Sequence, residues 1–255
     1  MAIEISELHF SALKTIAQSP MHFRSYLERG RADTASMRLG RAVHTMCLGG
    51  PEFAVFDGRR DGKKWDEFKA ANADREILSV SEHATARGIA DSVRSHPRAS
   101  ELIREAHETE AAMRWERDGF QCAGRVDAYR AGSWVLDLKT TRDARPDRFK
   151  WEVQRLGYAE QLAWYADGLQ RNARTCPEAY LIVVESAPPH PVVVYRLTAR
   201  KLDYARRNVC AWLEQLRVCL AADHWPGYTE TDVDLDADDG GPEDGEDWTD
   251  EEEAA

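Results

Sequence analysis

The chain has 255 residues, 34 Lys+Arg against 45 Asp+Glu, and a formal net charge of −11. Fourteen of those acids (Glu230, Asp232, Asp234, Asp236, Asp238, Asp239, Glu243, Asp244, Glu246, Asp247, Asp250, Glu251, Glu252 and Glu253) fall in residues 229–255, which contain no Lys or Arg, so residues 1–228 hold 31 acids against 34 bases and carry about +3. The total charge therefore does not exclude a nucleic-acid partner, while 43% hydrophobic content excludes a disordered chain and no apolar run approaches the ~18 residues of a membrane span.

In chain order, residues 11–17 read as a short helix with Leu13 and Ile16 on one face, and Ser19-Pro20 reads as an N-cap followed by Pro at N1, starting a second helix. Residues 30–36 read as a loop, 37–48 as a helix stopped by Gly49-Gly50-Pro51, and 59–64 as a basic, glycine-containing loop. Helices follow over 66–72 and 81–94, His96-Pro97 interrupts, and 99–106 adds a turn or two. From residue 108 the period changes. Residues 110–116 and 121–130 alternate, Ala131-Gly132-Ser133 is a turn, and 134–140 is a short apolar strand, which together make a β-meander. A long helix over 149–172, strands over 179–185 and 192–197, and a helix over 202–222 capped by Thr198 complete the order.

This order predicts an α/β domain over residues 1–228: a mainly helical part (1–107), then a mixed central β-sheet flanked by helices (108–228). Residues 229–255, dense in like charge and poor in apolar side chains, are predicted to be a disordered acidic C-terminal tail. Five widely spaced cysteines, odd in number and without a CxxC pair, predict reduced thiols and a cytoplasmic protein. The first residues lack the pattern of a secretory signal.

The chemistry concentrates in Gly124-Arg125-Val126-Asp127 and in Val135-Leu136-Asp137-Leu138-Lys139-Thr140-Thr141. Strand side chains alternate, so Asp137 and Lys139 share one face while Leu136 and Leu138 point to the core. Hairpin pairing can bring Asp127 beside Asp137, and two carboxylates at one point repel unless a cation lies between them. Mg²⁺ favours such an oxygen site, and a nearby Lys can stabilise phosphate charge or orient water. Taken alone, these three residues fit a surface hairpin with a salt bridge equally well.

Three further groups are candidates for contacting a phosphate backbone. Gln154, Tyr158, Gln161 and Tyr165 fall at i, i+4, i+7 and i+11 of the long helix, one polar-aromatic stripe suited to DNA or to half-buried packing. Arg59, Arg60, Lys63 and Lys64 make a basic loop that could neutralise phosphates or simply be solvated. Arg41 and Arg125 flank the motifs.

Asp127 followed by Asp137-x-Lys139 resembles the signature of the PD-(D/E)xK nuclease superfamily, which has a restriction-endonuclease-like core. Gly40-Arg41-Ala42-Val43-His44 resembles the G-x-A-x-H helix of its RecB-like and RecE-like branches. Glu110 stands where those branches carry a first-strand acid, with Glu108 a near alternative, and Gln161-x-x-x-Tyr165 resembles their QxxxY helix. The run 137–144 and Tyr158-x-x-Gln161 are most similar to the RecE-type exonuclease (exonuclease VIII) domain, as are Ser11…Ser19-Pro20 and His96-Pro97. The likeness runs in motif order over roughly residues 8–228.

The resemblance implies that His44, Asp127, Asp137 and the Leu138 backbone carbonyl hold a catalytic Mg²⁺, for which Mn²⁺ could substitute. Lys139 would act on the water and the scissile phosphate, and Glu110 would assist a second metal or its water. Gln161 and Tyr165 would contact DNA or buttress the site. It also implies 5′-to-3′ degradation of double-stranded DNA ends, a phage-type recombination role, a single-strand annealing partner and a homo-oligomeric ring. No cysteine trio follows Cys176, so no iron–sulfur cluster is expected. No Walker A sequence is present, so no ATP is expected either. The alternatives are a DNA-binding or assembly module with a vestigial site, or an endonuclease of the same superfamily.

Overall fold

The computed structural model describes residues 5–229 and 231–234. The predicted acidic tail, apart from residues 229 and 231–234, lies outside the described residues, and so does its predicted disorder.

The chain begins with strand β1 (Leu8–His9), helix α1 (Phe10–Leu13), a 3-10 turn (Lys14–Ala17) and helix α2 (Pro20–Arg29). The Ser19 side chain accepts from the His22 backbone N–H, as an N-cap does, with Pro20 in the first turn. Thr34 caps helix α3 (Ala35–Leu48) in the same way, so the helix starts two residues inside the expected loop. Strand β2 (Ala54–Phe56), helix α4 (Gly62–Ala71) and strand β3 (Ile77–Ser79) form a small lobe in which β2 and β3 pair in parallel. The expected basic loop is thus only partly a loop, because Lys63 and Lys64 lie in the first turn of α4. Ser79 and Glu82 form a full capping box at the start of helix α5 (Val80–Ser95), and His96-Pro97 separates it from helix α6 (Pro97–Glu105).

The meander is present as strands β4 (Glu108–Arg117), β5 (Phe120–Arg130) and β6 (Trp134–Thr141). The expected long helix is instead two, α7 (Pro146–Leu156) and α8 (Tyr158–Arg171), because Gly157 between them adopts φ 69°, a left-handed conformation that ends the first. Strands β7 (Glu178–Glu185) and β8 (Val192–Leu197) and helix α9 (Ala199–Ala222), capped by Thr198, follow as expected.

The main sheet runs β1-β5-β6-β7-β8, with β4 on the other edge of β5. Its β6–β7 pair is parallel and β7–β8 antiparallel, so the sheet is mixed. One core, rich in Phe23, Phe149, Leu162 and Trp164, fills the face covered by α2, α8 and α9. The second places Val43, Ile89 and Leu102 of α3, α5 and α6 against Leu136 and Leu138 on the opposite face. Burying Leu136 and Leu138 stabilises the sheet by about 2 kcal/mol each. It also fixes the strand's phase, and with it the direction of Asp137 and Lys139.

The strand pairing around β5 creates the site. β4 pairs with β5 along nearly its whole length. On its other edge, β5 pairs with β1 at Cys122 and Ala123, and with β6 only at Ala128–Arg130. Between these two partners, Gly124–Asp127 faces a gap where β6 has splayed away.

Candidate active site

Four elements converge on that gap. Asp127 comes from β5, Asp137 and Lys139 from β6, Glu110 from β4, and His44 from α3, which packs against Leu136 and Leu138. Asp127 and Asp137 are both buried. The Asp127 Oδ2 atom accepts from the Leu138 backbone N–H at 2.6 Å, taking the place of a strand rung where the backbones have parted. Lys139 Nζ lies 2.7 Å from Asp137 Oδ2 and 4.8 Å from the centre of the Tyr158 ring.

His44 Nε2 is 2.7 Å from the Leu138 carbonyl oxygen. A carbonyl only accepts, so Nε2 carries the proton. That leaves Nδ1 to face Asp127 Oδ2 at 3.4 Å and Glu110 Oε1 at 3.8 Å. This is the arrangement that orients a metal-binding imidazole: one nitrogen held by backbone, the other turned into the site. The Leu138 carbonyl, expected as a ligand, here serves as the anchor of His44. Of the two candidate acids on β4, Glu108 and Glu110, Glu110 is the one that reaches the gap. Glu108 instead accepts from the Tyr129 hydroxyl at 2.9 Å. Glu110 gets there with a strained backbone, φ 51°.

The electrostatics show what the gap lacks. Burial opposes the charged form of His44, but the neighbouring Asp127, Glu110 and Asp137 carboxylates prevail and push its pKa up to about 10. Burial raises Asp137 to about 6, with Asp127 adding to the rise and Lys139 opposing it. Asp127 moves the other way: burial would raise it, but His44 and Lys139 hold it below the ordinary value. At neutral pH the proton on His44 thus takes the part of a cation, while Asp137 stays largely ionised beside Lys139. Two buried oxygens, Glu110 Oε1 and Asp137 Oδ2, accept no hydrogen bond of good geometry. Ligand atoms of His44, Glu110 and Asp127 lie within 4.8 Å of one another. A set of one imidazole and carboxylate oxygens, among them a buried Glu110 Oε1 that accepts no hydrogen bond, fits a hard divalent cation.

The remaining candidates separate into those at the gap and those away from it. Gln161 donates to the Tyr165 hydroxyl at 3.0 Å, and Tyr165 is buried against β5. A Cβ on Gly124 would lie 2.9 Å from the Tyr165 ring, so the glycine of the Gly124-Arg125-Val126-Asp127 run is what lets α8 approach. Arg125 is exposed, with Nη1 3.7 Å from Glu110 Oε2, and stands at the rim. The predicted single stripe is broken at Gly157: Gln154 belongs to α7 and is exposed, while Tyr158, Gln161 and Tyr165 belong to α8.

Away from the gap, Arg41 is clamped between Asp33 at 2.8 Å and Glu76 at 2.6 Å, which raises its pKa further. Arg60 pairs with Glu82 at 2.5 Å and lies over Trp65, Arg59 pairs with Asp61 at 3.1 Å, and Lys63 sits 3.7 Å from Glu67. Two residues near the site carry no motif in the sequence. Lys14, on the 3-10 turn, is half-buried, and burial, with Arg31, Lys139 and Arg155 adding to it, pushes its pKa down to about 8. Glu152 of α7 accepts from Thr141 Oγ1 at 2.7 Å.

A mixed sheet whose central strands part around carboxylates, with a lysine two residues beyond one of them, defines the PD-(D/E)xK class of nuclease fold. Within that class, the chain belongs to the family described as the PDDEXK-like domain of unknown function (DUF3799), which matches residues 9–233. Among solved structures, a Eubacterium rectale protein provisionally assigned as an exonuclease shares the fold, with a TM-score of 0.62 and 16% identity over 87% of this chain and 84% of that one. A phage-related exonuclease from Haemophilus somnus aligns at 14% identity over 88% of this chain and 98% of that one, with a TM-score of 0.38. An alkaline exonuclease from Laribacter hongkongensis aligns at 14% identity over 71% and 95%, with a TM-score of 0.30. No curated protein matches the chain.

Proposed function

We propose that the protein is a metal-dependent deoxyribonuclease, an exonuclease of the RecE type that acts on double-stranded DNA ends. The observation that carries this reading is the convergence of His44, Glu110, Asp127, Asp137 and Lys139 on one gap in the sheet. His44 Nδ1, Glu110, Asp127 and Asp137 would hold Mg²⁺, or Mn²⁺ in its place. When bound, the ion supplies Lewis acidity at the phosphoryl group.

The chain's own groups do the rest. Lys139 Nζ donates toward the phosphate oxygen on which charge builds, beside the Tyr158 ring. The Leu138 carbonyl keeps the proton of His44 on Nε2, so that Nδ1 can bind. Arg125 offers a guanidinium at the rim for a neighbouring phosphate. The polarity (5′ to 3′), the recombination role, the ring and the annealing partner rest on the resemblance to RecE-type domains. The cytoplasmic location rests on the five free cysteines. Among the described residues, no helix is long and apolar enough to cross a membrane.

The test incubates the full chain with linear, closed circular and single-stranded DNA in Mg²⁺, Mn²⁺ or EDTA, beside Asp137→Ala. Expected is loss of linear duplex from labelled 5′ ends, abolished by EDTA and by the substitution. Cutting of closed circles would indicate an endonuclease. Absence of cleavage in every arm would leave a DNA-binding module.

A further inference from the structure

Lys139 has two neighbours, and the proposed reaction takes one of them away. Its ammonium sits 2.7 Å from Asp137 and 4.8 Å from the centre of the Tyr158 ring. If Asp137 turns to a cation, the aromatic face is what remains to aim Lys139. A lysine stem is flexible and has no planar fork of its own to fix its direction. The position of the Tyr158 ring therefore matters, and Tyr158 is the first residue of α8, directly after the left-handed break at Gly157.

Phe149 stacks against that ring at 6.1 Å between centroids, and one further side chain ties down its hydroxyl end. Glu152, on α7, accepts from Thr141 Oγ1 at 2.7 Å through Oε2, and its Oε1 lies 3.4 Å from the Tyr158 hydroxyl. Thr141 is two residues past Lys139 on β6, so it projects from the same face as Lys139 and Asp137. Glu152 thus joins the end of the catalytic strand to the start of the helix that covers it. A carboxylate accepting from a phenol also enriches the electron density of the ring, which strengthens its attraction for a cation on its face.

We propose that Glu152 is a positioning residue for Lys139: through Tyr158 and Thr141 it holds the aromatic platform that keeps the Lys139 ammonium aimed into the gap when Asp137 is engaged by a divalent cation. The purpose of this device rests on the nuclease reading, but the device itself can be read without any cleavage.

The test compares the full-length protein with Glu152→Gln, Tyr158→Phe and Tyr158→Leu, with and without Mg²⁺. The first readout is the NMR shift of the Lys139 ε-methylene protons, assigned by their loss in Lys139→Met. In the wild type the ring current moves them upfield, and the shift persists with Mg²⁺. Tyr158→Leu abolishes it. Glu152→Gln, which leaves one acceptor oxygen for two donors, and Tyr158→Phe, which removes the hydroxyl, keep the ring but weaken its tether and reduce the shift in the Mg²⁺ form. The second readout is single-turnover cleavage, expected to fall roughly 10- to 100-fold in Glu152→Gln with DNA affinity unchanged. An unaltered Lys139 shift in both tether variants overturns the proposal and makes Glu152 a plain structural link. If the shift changes as expected but the wild type never cleaves DNA, the positioning stands and the nuclease reading falls.

Discussion

Two regions of this chain are dense in charge, and they manage it in opposite ways. In the lobe of β2, α4 and β3, Arg59, Arg60 and Lys63 each have a carboxylate of their own, and Arg60 also lies over Trp65. In the gap beside β5, three carboxylates face one imidazole, one ammonium and, at the rim, the Arg125 guanidinium, and two of their oxygens accept no hydrogen bond of good geometry. The lobe is balanced on the surface, where each pair contributes little. The gap is largely buried and crowds its carboxylates together with incomplete hydrogen bonding, which is costly unless a further ligand completes it. Charge density alone does not distinguish the two; what each charge already touches does.

Substitutions should therefore have very different weights in the two regions. Asp127→Ala or Lys139→Met should reduce DNA cleavage by on the order of 10³-fold or more, with the fold retained by circular dichroism. Activity within tenfold of wild type in either variant would remove the gap from the mechanism.

A second difference concerns pH. His44 in the folded chain titrates near 10, above its unfolded value of about 6.5, so the stability it contributes is complete below pH 6.5 and is lost as the pH rises toward 10. The metal-free protein should lose melting temperature steadily between pH 7 and 10, and His44→Ala should flatten that slope. An unchanged slope in the variant would mean that the imidazole does not hold the proton.

A smaller effect has the opposite sign to the activity. Asp137→Asn removes one buried negative charge from a repelling set, so the metal-free protein should melt roughly 2–4 °C higher while cleavage is lost. A lower melting temperature would show that the ion pair with Lys139 outweighs the repulsion. Least affected should be the lobe. Replacing Arg59, Arg60, Lys63 and Lys64 together by Gln should change DNA affinity by less than about threefold and leave its salt dependence unaltered. A tenfold loss would make the lobe a DNA surface and erase the contrast.

Much of the gap was legible in the sequence because its geometry is local. Asp127, Asp137 and Lys139 lie on a meander whose turn, Ala131-Gly132-Ser133, fixes which residues oppose one another. The alternation of Leu136 and Leu138 sets their faces. Other features depend on partners far along the chain. Strands β1, β2 and β3 are two or three residues long and pair in parallel with remote segments, so they leave no periodic signal. The clamp on Arg41 by Glu76 and that on Arg60 by Glu82 span 35 and 22 residues. The break at Gly157 was hidden because helical periodicity continues across it, and a single glycine is tolerated inside many helices. Glu152 belongs to no motif, and only the placement of α7 against Thr141 and Tyr158 reveals it.

The gap is read as built for a divalent cation, with the His44 proton filling in for it. Calorimetric titration of Mn²⁺ or Mg²⁺ into the metal-free full-length protein at pH 7.5, in two buffers of different ionisation enthalpy, tests this reading most directly. With His44 raised to about 10, cation binding must expel its proton, so about one proton should be released per ion. Asp127→Ala should abolish both the binding and the release. Binding without proton release, or binding that survives Asp127→Ala, would contradict the account.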